Sequence, residues 1–146
     1  MDKDPLDVDL ALERLGIALP LQLRSAAAFT MAAGSITGFE YFGLSDVLWR
    51  FAEADLADAR RLVEKVVTLG GEPVDSITGF DLPREGAGIV DRLIELETET
   101  IEALQDVIPS TGHTGDSEAL EHRLEHIIMR KQEQVDTLRR AQRMRD

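Results

Sequence analysis

Apolar residues recur at steps of three and four along most of this chain, the spacing of helices that bury one face. The pattern predicts four helices, over about 19–41, 45–70, 83–108 and 117–143. Turn residues mark the breaks. Ser45 or Asp46 can cap the second helix, Gly70 and Gly71 stop it, and Pro83 opens the third. Pro109 and the polar run 110–116 close the third, and Asp116 or Ser117 can cap the fourth. Residues 1–8 read as a loose N-terminus. Residues 9–15 read as a short helix or the first turns of a longer one, which Gly16 and Pro20 break or kink. No stretch reads as a strand, so the expected class is all-α in a single domain over 1–146.

Link lengths suggest a topology. The first–second and third–fourth links are short, so those pairs are expected to be antiparallel. The second helix spans roughly 39 Å at the usual rise per residue. The link over 72–82 reaches roughly 35–40 Å when extended. It can run the length of the bundle and start the third helix parallel to the second. A plain up-down bundle with a loose middle loop is the alternative.

Composition narrows the function classes. The chain has 146 residues and a net charge of −12, with three Lys against thirteen Arg. Nucleic acid and anionic membranes both need basic surface, so neither is expected as a partner. There is no Cys, which excludes disulfides and thiolate metal sites. The acidic N-terminus lacks the basic region of a secretion signal, and with the missing Cys it fits a cytoplasmic protein. Residues 15–39 carry a single charge, Arg24, but Pro20, Gln22 and many small residues keep their hydropathy too low for a membrane span.

The second helix contains a conflict. Its core-spaced positions are Leu48, Phe51, Asp55, Asp58, Leu62, Val66 and Leu69. Two carboxylates thus interrupt a buried stripe. A buried carboxylate is expensive unless it is paired, protonated or bound to metal.

The run from Phe51 through Asp55, Asp58 and Leu62 to Leu69-Gly70-Gly71-Glu72-Pro73 resembles the second helix of bacterioferritin-like proteins. That family has an acidic residue, a His three later followed by Ala, and a terminal Leu-Gly-Gly-x-Pro. Leu96-Glu97 with Ile101, Leu104 and Ile108 is similar to the family's third helix, which carries one carboxylate. Arg130 to Leu138 is laid out like its Glu-x-x-His segment, with Lys131 at the Glu position and Gln134 at the His position. The resemblance implies a ferritin-like four-helix bundle with a long crossover between its second and third helices.

It also implies a di-iron centre, and here the sequence departs from the family. Asp58 stands at a His position, and Gln22 stands where the first helix should supply a Glu. No Asp, Glu or His occurs anywhere from 15 to 39. The remnant of the site would be Gln22, Asp55, Asp58, Glu97, Lys131 and Gln134. Three carboxylates and an ammonium do not make a di-iron site. In the family register Lys131 points into the bundle and replaces the metal as the positive centre for Asp55, Asp58 and Glu97. Two alternatives stay open: Lys131 extends to solvent beside a wet bundle edge, or a single metal persists near the carboxylates.

Other features are weaker. His122-Arg-Leu-Glu125-His126 offers two imidazoles one helical turn apart, enough for casual zinc binding but without a third ligand. His113 lies in a polar loop. A second apolar line on the second helix includes Trp49, Ala52, Leu56 and Val63, and the first helix adds Leu23, Ala27 and Met31. One bundle buries only one face of each helix, so a homodimer through these two helices is expected, with Met31, Trp49 and Leu56 at the interface. The resemblance points the same way. Where bacterioferritins carry the haem-ligating Met, this chain has Leu56, which cannot ligate iron. The alternative cover for Trp49 is the segment 7–15.

The sequence therefore reads as a non-catalytic, oligomerising ferritin-like protein with a structural or binding role and no cofactor. The rival is an iron-binding or iron-storage protein with an atypical site.

Overall fold

A computed structural model describes residues 4–143. Four long helices make up the bundle: α1 (Val8–Ser35), α2 (Leu44–Thr68), α3 (Gly86–Gln105) and α4 (Gly115–Arg143). Short 3-10 turns at Phe39–Tyr41 and Ile108–Ser110 close the two hairpin ends. No β-strand occurs among the described residues.

The first helix departs most from the expected boundaries. It starts eleven residues before the expected Leu19, with Asp7 Oδ1 accepting from Leu10 N at 3.1 Å as its cap. It then runs unbroken through Gly16 and Pro20. A proline removes one helical donor and crowds the preceding turn, so an interior one needs support. Here that support is packing, since Pro20 is buried against the bundle; Thr78 N on the crossover also meets Pro20 O at 3.3 Å. The helix stops at Ser35, short of the expected Tyr41. Ile36 turns extended and Gly38 takes a positive φ of 112°. The expected caps of α2 are also corrected. Gly43 holds that position, and Ser45 instead donates its hydroxyl to Ala33 O at 2.6 Å, stapling the hairpin.

The N-terminus is tied down from its fourth residue; residues 1–3 lie outside the described ones. Leu6 is buried, His113 N donates to Asp4 O at 2.8 Å, and Asp7 N donates to Ser110 O at 2.9 Å. Gly112 sits so close to this backbone that a side chain there would collide with Asp4.

Residues 71–85 form the crossover, and their contacts along α1 fix its course. Gly71 packs on Leu12, Val74 lies over Gly16, and Thr78 bonds at Pro20. At the far end Gly86 packs under Tyr41 and Thr37. A β-carbon on Gly86 would fall 2.5 Å from the Tyr41 ring, which is why glycine opens α3. The crossover thus travels the length of α1, and α3 starts at the end where α2 also starts. The structure is a four-helix bundle of two antiparallel hairpins joined by one long connection.

Two apolar clusters fill the interior. Leu15, Leu19, Leu62, Leu104, Leu120 and Leu124 pack at one end. Phe29, Leu48, Ile89, Leu93, Leu96 and Leu138 pack at the other. A layer of polar side chains lies between them. By length and composition α1 could cross a membrane, but more than half of its apolar window is buried inside the bundle.

Candidate functional site: the polar layer

Each helix sends side chains into the layer. Gln22 comes from α1, Asp55 and Asp58 from α2, Glu97 from α3, and Lys131 and Gln134 from α4; all six are at most 2% exposed. Heptad-like spacing puts them there: Asp55 and Asp58 occupy buried positions between Leu48 and Leu62, and Lys131 and Gln134 between Ile127 and Leu138.

Lys131 holds the centre. Its Nζ donates to Asp55 Oδ2 at 3.2 Å and to Glu97 Oε1 at 3.0 Å. Gln134 Nε2 donates to the other Asp55 oxygen, Oδ1, at 3.0 Å. Gln22 Nε2 donates to the Asp55 backbone carbonyl at 2.9 Å, so it grips the helix rather than the carboxylate. Lys131 is fully buried, which discards the solvent-extended alternative.

Asp58 belongs to a different group. Arg130 binds it bidentately, Nε to Oδ2 at 2.9 Å and Nη2 to Oδ1 at 2.8 Å. Arg61, one turn on, adds Nη1 to Oδ1 at 2.8 Å. The expectation that Lys131 serves all three carboxylates is therefore corrected. A planar guanidinium reaches in from the half-exposed rim and matches a carboxylate fork, which a single ammonium already holding two carboxylates cannot do.

The electrostatics favour protons. Burial pushes Glu97 from its ordinary 4.5 up to about 7; the Asp55 charge adds to this, and Lys131 opposes it. Burial likewise raises Asp55, against the pull of Lys131 and Gln134. Burial alone would lower Lys131, but Glu97 and Asp55 outweigh it and hold the ammonium above its ordinary value. Two carboxylates and one ammonium carry a net −1, and a single extra proton neutralises the group. Three buried oxygens, Glu97 Oε2, Gln22 Oε1 and Gln134 Oε1, find no hydrogen-bond partner.

Sequence reasoning missed the Arg24 shelf. Arg24 on α1 is 4% exposed; its Nη2 donates to Leu96 O at 3.1 Å and its Nη1 pairs with Glu99 Oε2 at 3.0 Å. Ser25 and Thr100 lie alongside, their hydroxyls 3.1 Å apart. The signal was visible, because Arg24 is the lone charge in an apolar stretch.

The remaining candidates stand apart. His122 and His126 are exposed on α4, and His113 sits at the surface 3.4 Å from Asp4 Oδ2. Among the described residues no group of three or more His, Asp, Glu or Cys could hold a metal ion. On the α1–α2 face, Met31 is 59% exposed, Trp49 49% and Leu56 58%. Residues 7–15 are spent in the cap and first turns of α1 and leave Trp49 open. Leu23, Ala27, Trp49 and Leu56 line one trough there, with Ile77 of the crossover on its rim.

Solved structures share this fold. A ferritin-like diiron-carboxylate protein from Bacillus anthracis str. Ames superposes with a TM-score of 0.85 over 93% of this chain and 97% of its own, at 20% identity. The bacterioferritin-related protein of Bacteroides fragilis, a dodecameric thioferritin, gives 0.82 over 93% and 86%, at 16% identity. Rhodobacter capsulatus bacterioferritin gives 0.78 over 92% and 84%, at 11% identity. No family model and no curated protein matches the chain. The fold is the ferritin-like bundle, and the polar layer occupies its centre.

Proposed function

We propose that this protein is a ferritin-like subunit that performs no iron turnover and acts as a self-associating structural or binding module. One observation carries the reading: the Lys131 ammonium lies between Asp55 and Glu97, with Nζ at 3.2 and 3.0 Å. A di-iron centre needs anionic or imidazole donors around two dications. This layer offers a cation in their midst, two amides, and an Asp58 already neutralised by two guanidiniums. The residues do not fit such a centre, and no chemistry is derived through one. The six layer residues are what remains of the family's metal site, converted to an ionic core.

Self-association runs through the α1–α2 face. The exposed Met31, Trp49 and Leu56 sit among small residues on the two helices, and burying that apolar surface favours a two-fold pairing. The pairing takes no haem, because Leu56 has no donor atom.

The decisive experiment is aerobic addition of ferrous iron, followed by ferric absorbance. The expected trace follows the buffer blank. A faster rate that Asp55→Ala abolishes would establish the iron-storage reading instead.

A further inference from the structure

We propose that Lys131, Asp55 and Glu97 form a self-condensing site in which the Lys131 amine joins the Asp55 side-chain carboxyl as an isopeptide bond. The bond would tie α4 to α2 across the bundle. It rests on Lys131 as the positive centre of the layer and adds a single reaction of the chain upon itself, without turnover.

Four features of the geometry support it. The nucleophile and the electrophile are already in contact: Nζ lies 3.2 Å from Asp55 Oδ2, one bond from the carbon to be attacked. Both groups are buried and fixed by packed helices, so their effective concentration is far above that of any free amine. Gln134 Nε2 donates to Oδ1 at 3.0 Å, where negative charge develops as the carbonyl is attacked. Glu97 Oε1 is 3.0 Å from the same Nζ, placed to take a proton from nitrogen.

The steps balance. Asp55 starts as the neutral acid, and Lys131 passes one proton to the Glu97 carboxylate. The free amine attacks Asp55 Cγ, forming the C–N bond and a tetrahedral carbon. Glu97 returns its proton to the departing hydroxyl, and the resulting carboxylate takes the second proton from nitrogen and ends as the neutral acid. One water leaves and a neutral amide remains; nothing is oxidised or reduced. Glu97, pushed up by burial to about 7, keeps a carboxyl proton at hand near neutral pH, and burial raises Asp55 in the same direction. Glu97 and Asp55 hold Lys131 as the ammonium, so the reaction draws on the small fraction in which its proton has moved to Glu97 and is correspondingly slow. The product removes the buried charges of Lys131 and Glu97 and with them their desolvation cost.

The test is mass spectrometry of the purified, folded protein after long incubation near neutral pH. The expected intact mass is lower than that of the chain by one water. After proteolysis, the peptide containing Lys131 should be joined to the one containing Asp55. Lys131→Arg should keep its full mass, since a guanidinium cannot be acylated in this way. Glu97→Gln, with helical content checked by circular dichroism, should slow the condensation by about 100-fold. Full mass in the aged wild type, with Lys131 and Asp55 in separate peptides, overturns the proposal. So does a water loss that maps to any other residue. Either result leaves the ionic core untouched, whereas iron oxidation would overturn the function while the mass stayed unchanged.

Discussion

Arg130 grips Asp58 through two parallel hydrogen bonds, while the next residue, Lys131, projects into the core to meet Asp55 and Glu97. Adjacent cations on α4 thus serve two separate carboxylate groups. The inner group is sealed and the outer one opens to the rim. Their responses to mutation should differ accordingly.

Lys131→Met removes the ammonium and keeps most of the stem's volume. Asp55 and Glu97 then face each other in the core without a cation. Breaking a buried ion pair in this way costs about 3–5 kcal/mol. Urea denaturation near neutral pH should show a loss of that size, partly recovered on mild acidification as one carboxylate takes up a proton. A variant as stable as wild type would remove Lys131 from its place in the layer.

Arg130→Met should cost less, about 1–2 kcal/mol, because Arg61 still pairs with Asp58 and the site is half-exposed. The ranking of the two losses, from the same denaturation series, is the outcome to check.

Glu97 gives the wild type its own pH dependence. Its folded value of about 7 lies above the ordinary 4.5, so the folded state holds a proton that the unfolded chain releases. Its stabilising contribution is complete below 4.5 and fades as pH rises through about 7. The stability of Glu97→Gln relative to freshly refolded wild type should therefore rise across that window, by about 2–3 kcal/mol. A difference that does not change with pH would place the titration elsewhere. Burial of Glu97 thus makes the wild type, and not only the lysine variant, gain from mild acid.

Leu56→Glu tests the α1–α2 face. A charge buried in an apolar contact without a partner is strongly unfavourable. Light scattering should report a smaller species than wild type at equal concentration. An unchanged mass would move the interface away from this face.

Much of the layer was legible because a helix repeats its faces. Counting from Asp55 by threes and fours puts Asp58 beside it, and the family register puts Glu97, Lys131, Gln22 and Gln134 at the same depth. What spacing cannot convey is the partner. Asp58 could be matched to Lys131 on paper, since the reach of Arg61 and Arg130 around the rim depends on side-chain path. The unbroken α1 was hidden for a similar reason. Pro20 is a local stop signal, and the bundle packing that buries it comes from residues far along the chain. Helix ends were hardest where a backbone bond or a glycine contact sets them, as at Ser45 and Gly86.

The long crossover divides the chain into halves that are electrically unlike. The α1–α2 hairpin brings Asp55 and Asp58, with Arg61 beside Asp58 and Arg24 reaching across to Glu99. The α3–α4 hairpin brings Lys131 and Arg130 to those aspartates, with Glu97 beside Lys131. Neither half can settle its charges until the other docks. A slip of one turn would strand Lys131 among leucines and leave Asp58 without Arg130. Apolar clusters above and below would tolerate several such slips, since leucine packs on leucine in many registers. The layer admits one, and so acts as the key by which two hairpins recognise their single correct alignment.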